Sequence, residues 1–362
     1  MNKRDEIQKL AVQEYLSGKK KTLFNLSVRM GKCRVGVMIM QELDAKKVLI
    51  LYPNVKIKES WENEFDKMNY HPGSVHYSTY RSMENADDIY DVIIGDEVQL
   101  MSVSNLISLD FLLKKNERFL GLSGTYSKKT KQDLWDYCQL RISHEYTTEE
   151  ATEDGVVSNY NVIIKQFSLS NILGEWKKKK DGTKYFLTEK TKSKQLTNAL
   201  EYAKIRGADA IKLSAFNRMR WINKCPSLKH NILLLLSQLK DKRILVFGGE
   251  TSFIDELGIK THHSKNEKEN NLDKFINKEI NQLALVNIGA TGITFEELDT
   301  IIITNINSNC ENLFQKLARS LLYEKGKTST IYILCSTEDY QQKWLNKGIS
   351  EIPKERIKYE KL

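Results

Sequence analysis

Two adjacent carboxylates, Asp96 and Glu97, close the apolar run Val92-Ile93-Ile94-Gly95 and are followed by Val98-Gln99. A carboxylate at the end of a buried strand is costly unless a cation or hydrogen-bond donors answer it. Packing therefore gives no reason for the pair. An answer stands upstream in Leu26-Ser27-Val28-Arg29-Met30-Gly31-Lys32-Cys33, where an apolar strand runs into a Gly-Lys turn that opens a helix. The amides of such a turn point at an anion, and a lysine there reaches terminal phosphates. Lysine and acid pair together imply a site for a magnesium-bound triphosphate, with Asp96 on the metal and Glu97 polarising an attacking water. Two positions depart from the usual phosphate-binding turn: Leu26 stands at its first glycine, and Cys33 replaces the hydroxyl that ligates Mg²⁺. A neutral thiol is a poor ligand for a hard cation, so Cys33 is at most a weak metal contact beside Asp96. A thiol next to a lysine at a helix N-terminus is also a candidate redox-sensitive group.

These residues need a sheet to hold them. Short apolar runs at Thr22–Leu26, Val48–Tyr52, Ser74–Tyr77, Val92–Ile94 and Phe119–Leu122 alternate with amphipathic stretches at Arg4–Ser17, Cys33–Leu43 and Val55–Met68. Near-continuous apolar strands separated by helices predict a parallel sheet covered on both faces. The pattern repeats after Ser227. Strands are expected at Arg243–Phe247, Gln282–Asn287, Thr300–Thr304 and Thr330–Leu334, with helices at Leu228–Leu239, Glu267–Asn277 and Cys310–Tyr323 and a polar C-terminal helix. Between the two, Phe167 to Cys225 does not read as a sheet. It holds the run Lys177-Lys178-Lys179-Lys180, the turn signal Asp181-Gly182, and helical stretches at Leu196–Arg206 and Ala208–Trp221.

A chain of 362 residues suits two domains of ordinary size. No apolar run approaches the roughly 20 residues that cross a bilayer, and the N-terminus leads into an amphipathic segment and not a secretory signal. The five cysteines lack paired spacing, which argues against a zinc site or a disulfide framework. His262-His263 lacks an accompanying carboxylate cluster and reads as loop. A net charge of +9 favours a polyanionic partner. Tyr80, Tyr126 and Trp221 are the aromatic candidates for stacking on bases.

The ordered set of motifs resembles the superfamily 2 helicases and translocases. Gln8 resembles that family's adenine-reading glutamine, and Leu26 to Cys33 stands at its motif I. Tyr52-Pro53 with the following helix resembles motif Ia, and Tyr77-Ser78-Thr79-Tyr80 motif Ib. Asp96-Glu97-Val98-Gln99 is a DExQ form of motif II, and Leu122-Ser123-Gly124-Thr125 resembles motif III. Thr148 to Val157 resembles the acidic segment that leaves the first lobe. Leu245 to Gly249 resembles motif IV, Asn287 to Thr294 motif V, and Gln315-Lys316-Leu317-Ala318-Arg319-Ser320-Leu321-Leu322 motif VI. Ala318 replaces a glycine there, and Leu322 replaces the second arginine.

The resemblance implies an α/β chain with two RecA-like P-loop NTPase domains: residues 1–166, an ATP-binding domain; 167–226, a basic helical linker or insert; 227–362, a C-terminal helicase domain. It implies ATP and Mg²⁺ as cofactors. Lys32, Asp96, Glu97, Gln99 and Arg319 carry catalysis. Gln8, Ser27, Val28, Arg29, Met30, Gly31, Lys32, Cys33, Gly292, Gln315 and Arg319 hold nucleotide, while Ser123 and Thr125 couple it to strand contacts. Pro53, Lys56, Thr79, Tyr80, Gly248, Gly249 and Thr291 contact nucleic acid. DNA, single-stranded or forked, is the expected partner, with RNA second. The expected protein is an ATP-dependent motor, a monomer being compatible with this reading, acting in the cytoplasm of a bacterium or a phage-infected cell. A nucleic-acid clamp with weak ATPase activity, and the motor subunit of a restriction or repair complex, are the alternatives.

Overall fold

The computed structural model describes residues 2–86, 88–286, 295–306, 309–324 and 326–362. Among these the chain divides into two compact units. One runs to Asn159 and also takes in Leu321–Lys327; the other begins at Tyr160 and holds most of the remainder.

The first unit is a single six-stranded sheet. Its strands are β1 (Lys21–Leu26), β2 (Lys47–Tyr52), β3 (Ser74–Thr79), β4 (Val92–Asp96), β5 (Phe119–Ser123) and β6 (Ile142–Tyr146), in the order β3-β2-β4-β5-β1-β6. Every neighbouring pair is parallel. β4 and β5 are buried at every position, and β1 and β2 at all but the first. That burial explains why they read as unbroken apolar runs. The edge strands β3 and β6 are only partly buried and carry His76, Ser78, Ser143 and His144. The β6 sequence gives no apolar run, so it escaped the sequence reading. The helices are α1 (Lys3–Ser17), α2 (Lys32–Glu42), α3 (Lys56–Lys67), α4 (Val103–Lys115), α5 (Lys128–Cys138) and α6 (Thr148–Glu153). Side chains of Ser102, Ser127 and Thr147 cap α4, α5 and α6 by accepting from backbone amides of the first turn. Gly36 lets α3 come close to α2: a Cβ there would lie 2.5 Å from the Trp61 ring.

The second unit has a seven-stranded sheet and a separate hairpin. Strands and helices follow as β7 (Asn159–Phe167), β8 (Gly174–Lys178), β9 (Lys184–Thr188), α7 (Glu189–Arg206), α8 (Ala208–Ile222), α9 (Pro226–Gln238), β10 (Ile244–Gly248), α10 (Thr251–Asp255), β11 (Lys260–His262), α11 (Asn271–Ile276), β12 (Gln282–Val286), β13 (Thr300–Ile303), α12 (Cys310–Leu317), β14 (Thr328–Ser336), α13 (Asp339–Gly348) and β15 (Ile357–Lys361). The sheet order is β11-β12-β10-β13-β14-β7-β15, and β8 pairs with β9 alone. Four outcomes differ from the sequence reading. β7 belongs to the second sheet, where β15 pairs with it in parallel. The lysine run folds as the end of β8 and its turn, because Trp176 to Lys178 finds antiparallel partners in Lys184 to Phe186. The expected helix at Glu267–Asn277 is split at Asn270, which takes a positive φ of 52°. The expected helix at Cys310–Tyr323 tightens into a 3₁₀ turn at Ala318–Ser320, after which the chain joins the first unit.

One apolar cluster joins the end of β7 (Phe167, Leu169) to Ile222, Cys225, Leu228 and Ile232 of the α8–α9 region and to Ile244 and Val246 of β10. The α7–α8 pair is thereby tied to the second sheet. Glu189, 1% exposed at the start of α7, accepts from the Ser170 and Ser227 amides at 2.7 Å each.

Candidate functional site

The site lies at the carboxyl ends of β1, β4 and β5 in the first unit. After β1 the chain turns through Ser27 to Gly31, with Arg29 at φ 66° and Gly31 at φ 76°. Gly31 caps α2 in the left-handed region. A side chain there would be strained, and its Cβ would fall 2.8 Å from Gln8 Nε2. That amide donates instead to the Met30 carbonyl at 2.6 Å, from a glutamine only 2% exposed. Gln8 therefore braces the turn from beneath. On its other flank the Ser27 amide donates to the Tyr146 carbonyl at 2.8 Å, and the Ser27 and Thr148 hydroxyls meet at 3.2 Å. Thr148 opens α6, so the acidic segment after β6 is fixed to the turn.

The first residue of α2 carries the lysine. Its ammonium lies 3.4 Å from a Glu97 carboxylate oxygen, both side chains being less than a fifth exposed. Burial pulls the Lys32 pKa down, but Glu97 and Asp96 push it up further, so the ammonium stays charged. Asp96 is 4% exposed. Burial and the Glu97 charge raise its carboxyl to about 6, against the pull of Lys32 and of a hydrogen bond from Trp61. Trp61 Nε1 donates to Asp96 Oδ2 at 3.0 Å. Glu97 adopts φ 59°, a left-handed conformation that disfavours a residue with a side chain. Gln99 Nε2 then donates to its Oε2 at 2.5 Å. Left-handed conformations at Glu97, which meets Lys32, and at Arg29, in the turn before it, are the pattern expected where backbone geometry serves a site. Ser123 and Thr125 close a local ring, Ser123 Oγ donating to the Thr125 carbonyl at 2.8 Å and accepting from its amide at 3.1 Å. A Cβ on Gly124, between them, would lie 3.6 Å from Lys32 Nζ.

The cysteine reading changes. Cys33 Sγ faces Asp96 Oδ2 at 3.9 Å, and burial followed by the Asp96 charge pushes the thiol pKa well up. The group is a weak donor toward the carboxylate. Neither a thiolate ligand nor an activated redox thiol fits that surrounding.

Of the remaining expected positions, Tyr80 does not fit a base-stacking role. It is 4% exposed and its hydroxyl donates to the Asp96 carbonyl, so it supports the acid pair from within. Tyr126 is 3% exposed beneath the sheet end, with its hydroxyl 3.4 Å from the Phe24 and Gly121 carbonyls. Trp221 packs against the second unit's core. Pro53 and Thr79 are partly exposed at the ends of β2 and β3, and Lys56 begins α3. Val28 sits partly exposed in the turn. In the second unit Gly248 ends β10 against Ile254, and Gly249 faces Asn223 and Asn305. Gln315 lies on α12 and Arg319 in the turn after it. Thr291 and Gly292 fall outside the described residues. The sequence reading missed Trp61 as the partner of Asp96; the only signal was an apolar residue on α3 opposite Gly36.

Residues 223–324 match the helicase conserved C-terminal domain. A comparison with curated proteins gives no match. Among solved structures, the ATP-dependent Type ISP restriction-modification enzyme LlaBIII bound to DNA is similar over all of this chain, at 12% identity and a TM-score of 0.61. This chain spans 31% of that one. Dbp5 from S. cerevisiae, bound to RNA and ADP BeF3, is similar over 98% of this chain and 89% of its own, with 10% identity and a TM-score of 0.60. The helicase domain of Pyrococcus furiosus Hef covers 95% and 98% respectively, with 13% identity and a TM-score of 0.51. Residues 223–324 of this chain are thus similar to the helicase conserved C-terminal domain, and its two α/β units share the two-lobed RecA-like fold of these solved structures.

Proposed function

We propose that this chain is a nucleic-acid-stimulated ATPase that moves on, or unwinds, DNA. The observation that carries the reading is the Lys32–Glu97 contact at 3.4 Å, beside a buried Asp96 and above a left-handed Gly31 turn. The residues fit a magnesium nucleotide. The left-handed Gly31 turn leads directly into the N-terminus of α2, and Asp96 offers a hard oxygen donor. Asp96 would hold Mg²⁺, while Gln8, Ser27, Val28, Arg29, Met30, Gly31 and Lys32 would surround the nucleotide. The metal, when bound, neutralises charge on the phosphate oxygens.

In the structure the Lys32 ammonium rests on Glu97. Lys32 would turn from Glu97 to a bound phosphate, and Glu97, held by Gln99, would then be free to take a proton from water. Trp61 and Tyr80 keep Asp96 in place. Ser123 and Thr125 flank Gly124, which lies near Lys32, and would sense its partner. Gln315 and Arg319 remain the second unit's candidates for nucleotide contact, and Pro53, Lys56, Thr79, Gly248, Gly249 and Thr291 the candidates for nucleic-acid backbone. Backbone contacts position without reading sequence, so little sequence preference is expected. Residues 167–226 would serve as an accessory basic segment.

A weakly hydrolysing clamp is the second reading, favoured by one observation: the Cys33 thiol takes the place of a metal-ligating hydroxyl beside Asp96. A motor within a larger restriction assembly is a third, suggested by the span of LlaBIII that this chain matches. Phosphate release from ATP, measured with single-stranded, duplex and forked DNA and with RNA, tests the proposal. Stimulation by DNA supports the motor. Nucleotide and DNA binding without stimulated release supports the clamp.

A further inference from the structure

We propose that the β8–β9 hairpin is a single-strand nucleic-acid contact, with bases stacking on Trp176 and Phe186 and phosphates on Lys178 and Lys184. The proposal rests on the reading of this chain as acting on nucleic acid, and adds a site outside the motifs that carry that reading. In the antiparallel register Trp176 lies opposite Phe186, and Lys178 opposite Lys184. Alternation along each strand places these four side chains on one face. Trp176 is 69% exposed and Phe186 40%, their rings edge to face with centroids 5.4 Å apart. Such a pair leaves ring surface open for a further flat partner.

The opposite face is settled internally. Leu187 is buried, and Lys177 pairs with Glu175 at 2.9 Å. The exposed face is not. Two like charges directly across a β-ladder destabilise it, and a large ring in water adds nothing to offset this. A polyanion with flat faces resolves both features, since its phosphates answer the lysines and its bases cover the rings. Trp176, Lys178 and Lys184 line an open groove of about 510 Å³, to which Lys177 contributes although it alternates to the other face. Lys179 and Lys180 extend the charge into the turn, where a Cβ on Gly182 would meet nothing within 4 Å. The hairpin stands on a fixed base. Ser170 Oγ accepts from the Ile172 and Leu173 amides, and buried Glu189 ties the end of β9 to Ser170 and Ser227. An acidic protein segment would satisfy the lysines equally well, but the paired rings beside them favour bases.

The test is fluorescence anisotropy of the full chain with labelled oligothymidylate, oligouridylate and a DNA duplex, over a salt series. Trp176→Ala should weaken single-strand binding roughly five- to hundredfold, the range for losing one stacked base, while Trp176→Phe stays within about threefold of the parent. Lys178→Glu with Lys184→Glu should flatten the slope of log affinity against log salt by about 1.4, from roughly 0.7 per phosphate contact. ATP turnover without nucleic acid should be unchanged in all variants, which also reports that they fold. Parental affinity and salt slope in the Ala and Glu variants overturn the hairpin assignment, and so does an equal loss on duplex. They leave the ATPase reading standing. A parent chain that binds none of the three probes overturns both.

Discussion

The two units are built on the same kind of sheet, yet the carboxyl ends of their central strands are furnished in opposite ways. In the first unit β1 and β4 end in a strained Gly-Lys turn and a buried Asp96 with a partly exposed Glu97, cross-braced by Gln8, Trp61, Tyr80 and Gln99. In the second, β10 ends in Gly248-Gly249 and β13 leads to Asn305, which accepts from Lys316 at 2.8 Å. One end sets Lys32 against two acids in a desolvated place; the other holds neutral amides around Lys316 and, just past Gly249, a Glu250 paired with the more exposed Arg220 and Lys224. Fold alone therefore does not make a nucleotide site. On the proposed reading the charged set and its braces do, and among the described residues that set lies in the first unit.

The largest effect should come from striking the charged set. Lys32→Ala should lower ATP turnover by about 10³-fold, on the scale of losing a phosphate-stabilising cation, with phosphate release as the readout. Trp61→Phe removes a brace and keeps an apolar ring. A hydrogen bond to a charged group contributes roughly 1.5–3 kcal/mol, so turnover should fall about ten- to hundredfold. The pH profile gives the sharper signature. The Trp61 bond lowers the Asp96 pKa from what burial alone would set, and the ionised form is active above about 6. Losing the bond should move the acid limb of the profile toward alkaline pH; an unmoved limb would assign Trp61 to packing alone.

Gly31→Ala tests the turn. A left-handed φ costs a residue with a Cβ roughly 1–2 kcal/mol, and the Gln8 amide must also shift, so thermal stability should fall by about that amount. The smallest effect belongs to the second unit. Burial lowers the Lys316 pKa to about 8. A lysine whose folded pKa is depressed releases its proton on folding within that window, so stability should rise as pH climbs from about 8 toward the unfolded value near 10.5. Lys316→Met should flatten that rise in a series of melts without changing ATP turnover in the absence of nucleic acid.

How much of this was legible in the sequence follows from distance along the chain. Strands β1, β2, β4 and β5 are buried on both faces and announce themselves as apolar runs; Gly31-Lys32 and Asp96-Glu97 sit at their ends, where local sequence shows them. β15 was hidden because the edge of the second sheet tolerates polar residues such as Lys358 and Glu360, and β7, inside it, because buried positions alternate there with exposed ones. The hairpin was hidden because four successive lysines mask an alternation that only its partner strand reveals. The contacts of Asp96 with Trp61 and Tyr80 join separate elements, and no local pattern encodes them. Tyr80 illustrates the limit: its position in a motif suggested an exposed ring, whereas the fold turns it inward.

The most direct test of the central claim is phosphate release by the Glu97→Gln chain with single-stranded DNA, run beside equilibrium binding of a fluorescent ATP analogue with Mg²⁺. The account predicts retained nucleotide binding and turnover lowered by about 10²-fold or more, on the scale of a lost general base. Parental turnover in that variant would contradict the assignment of the acid pair and, with it, the first unit as the site of hydrolysis.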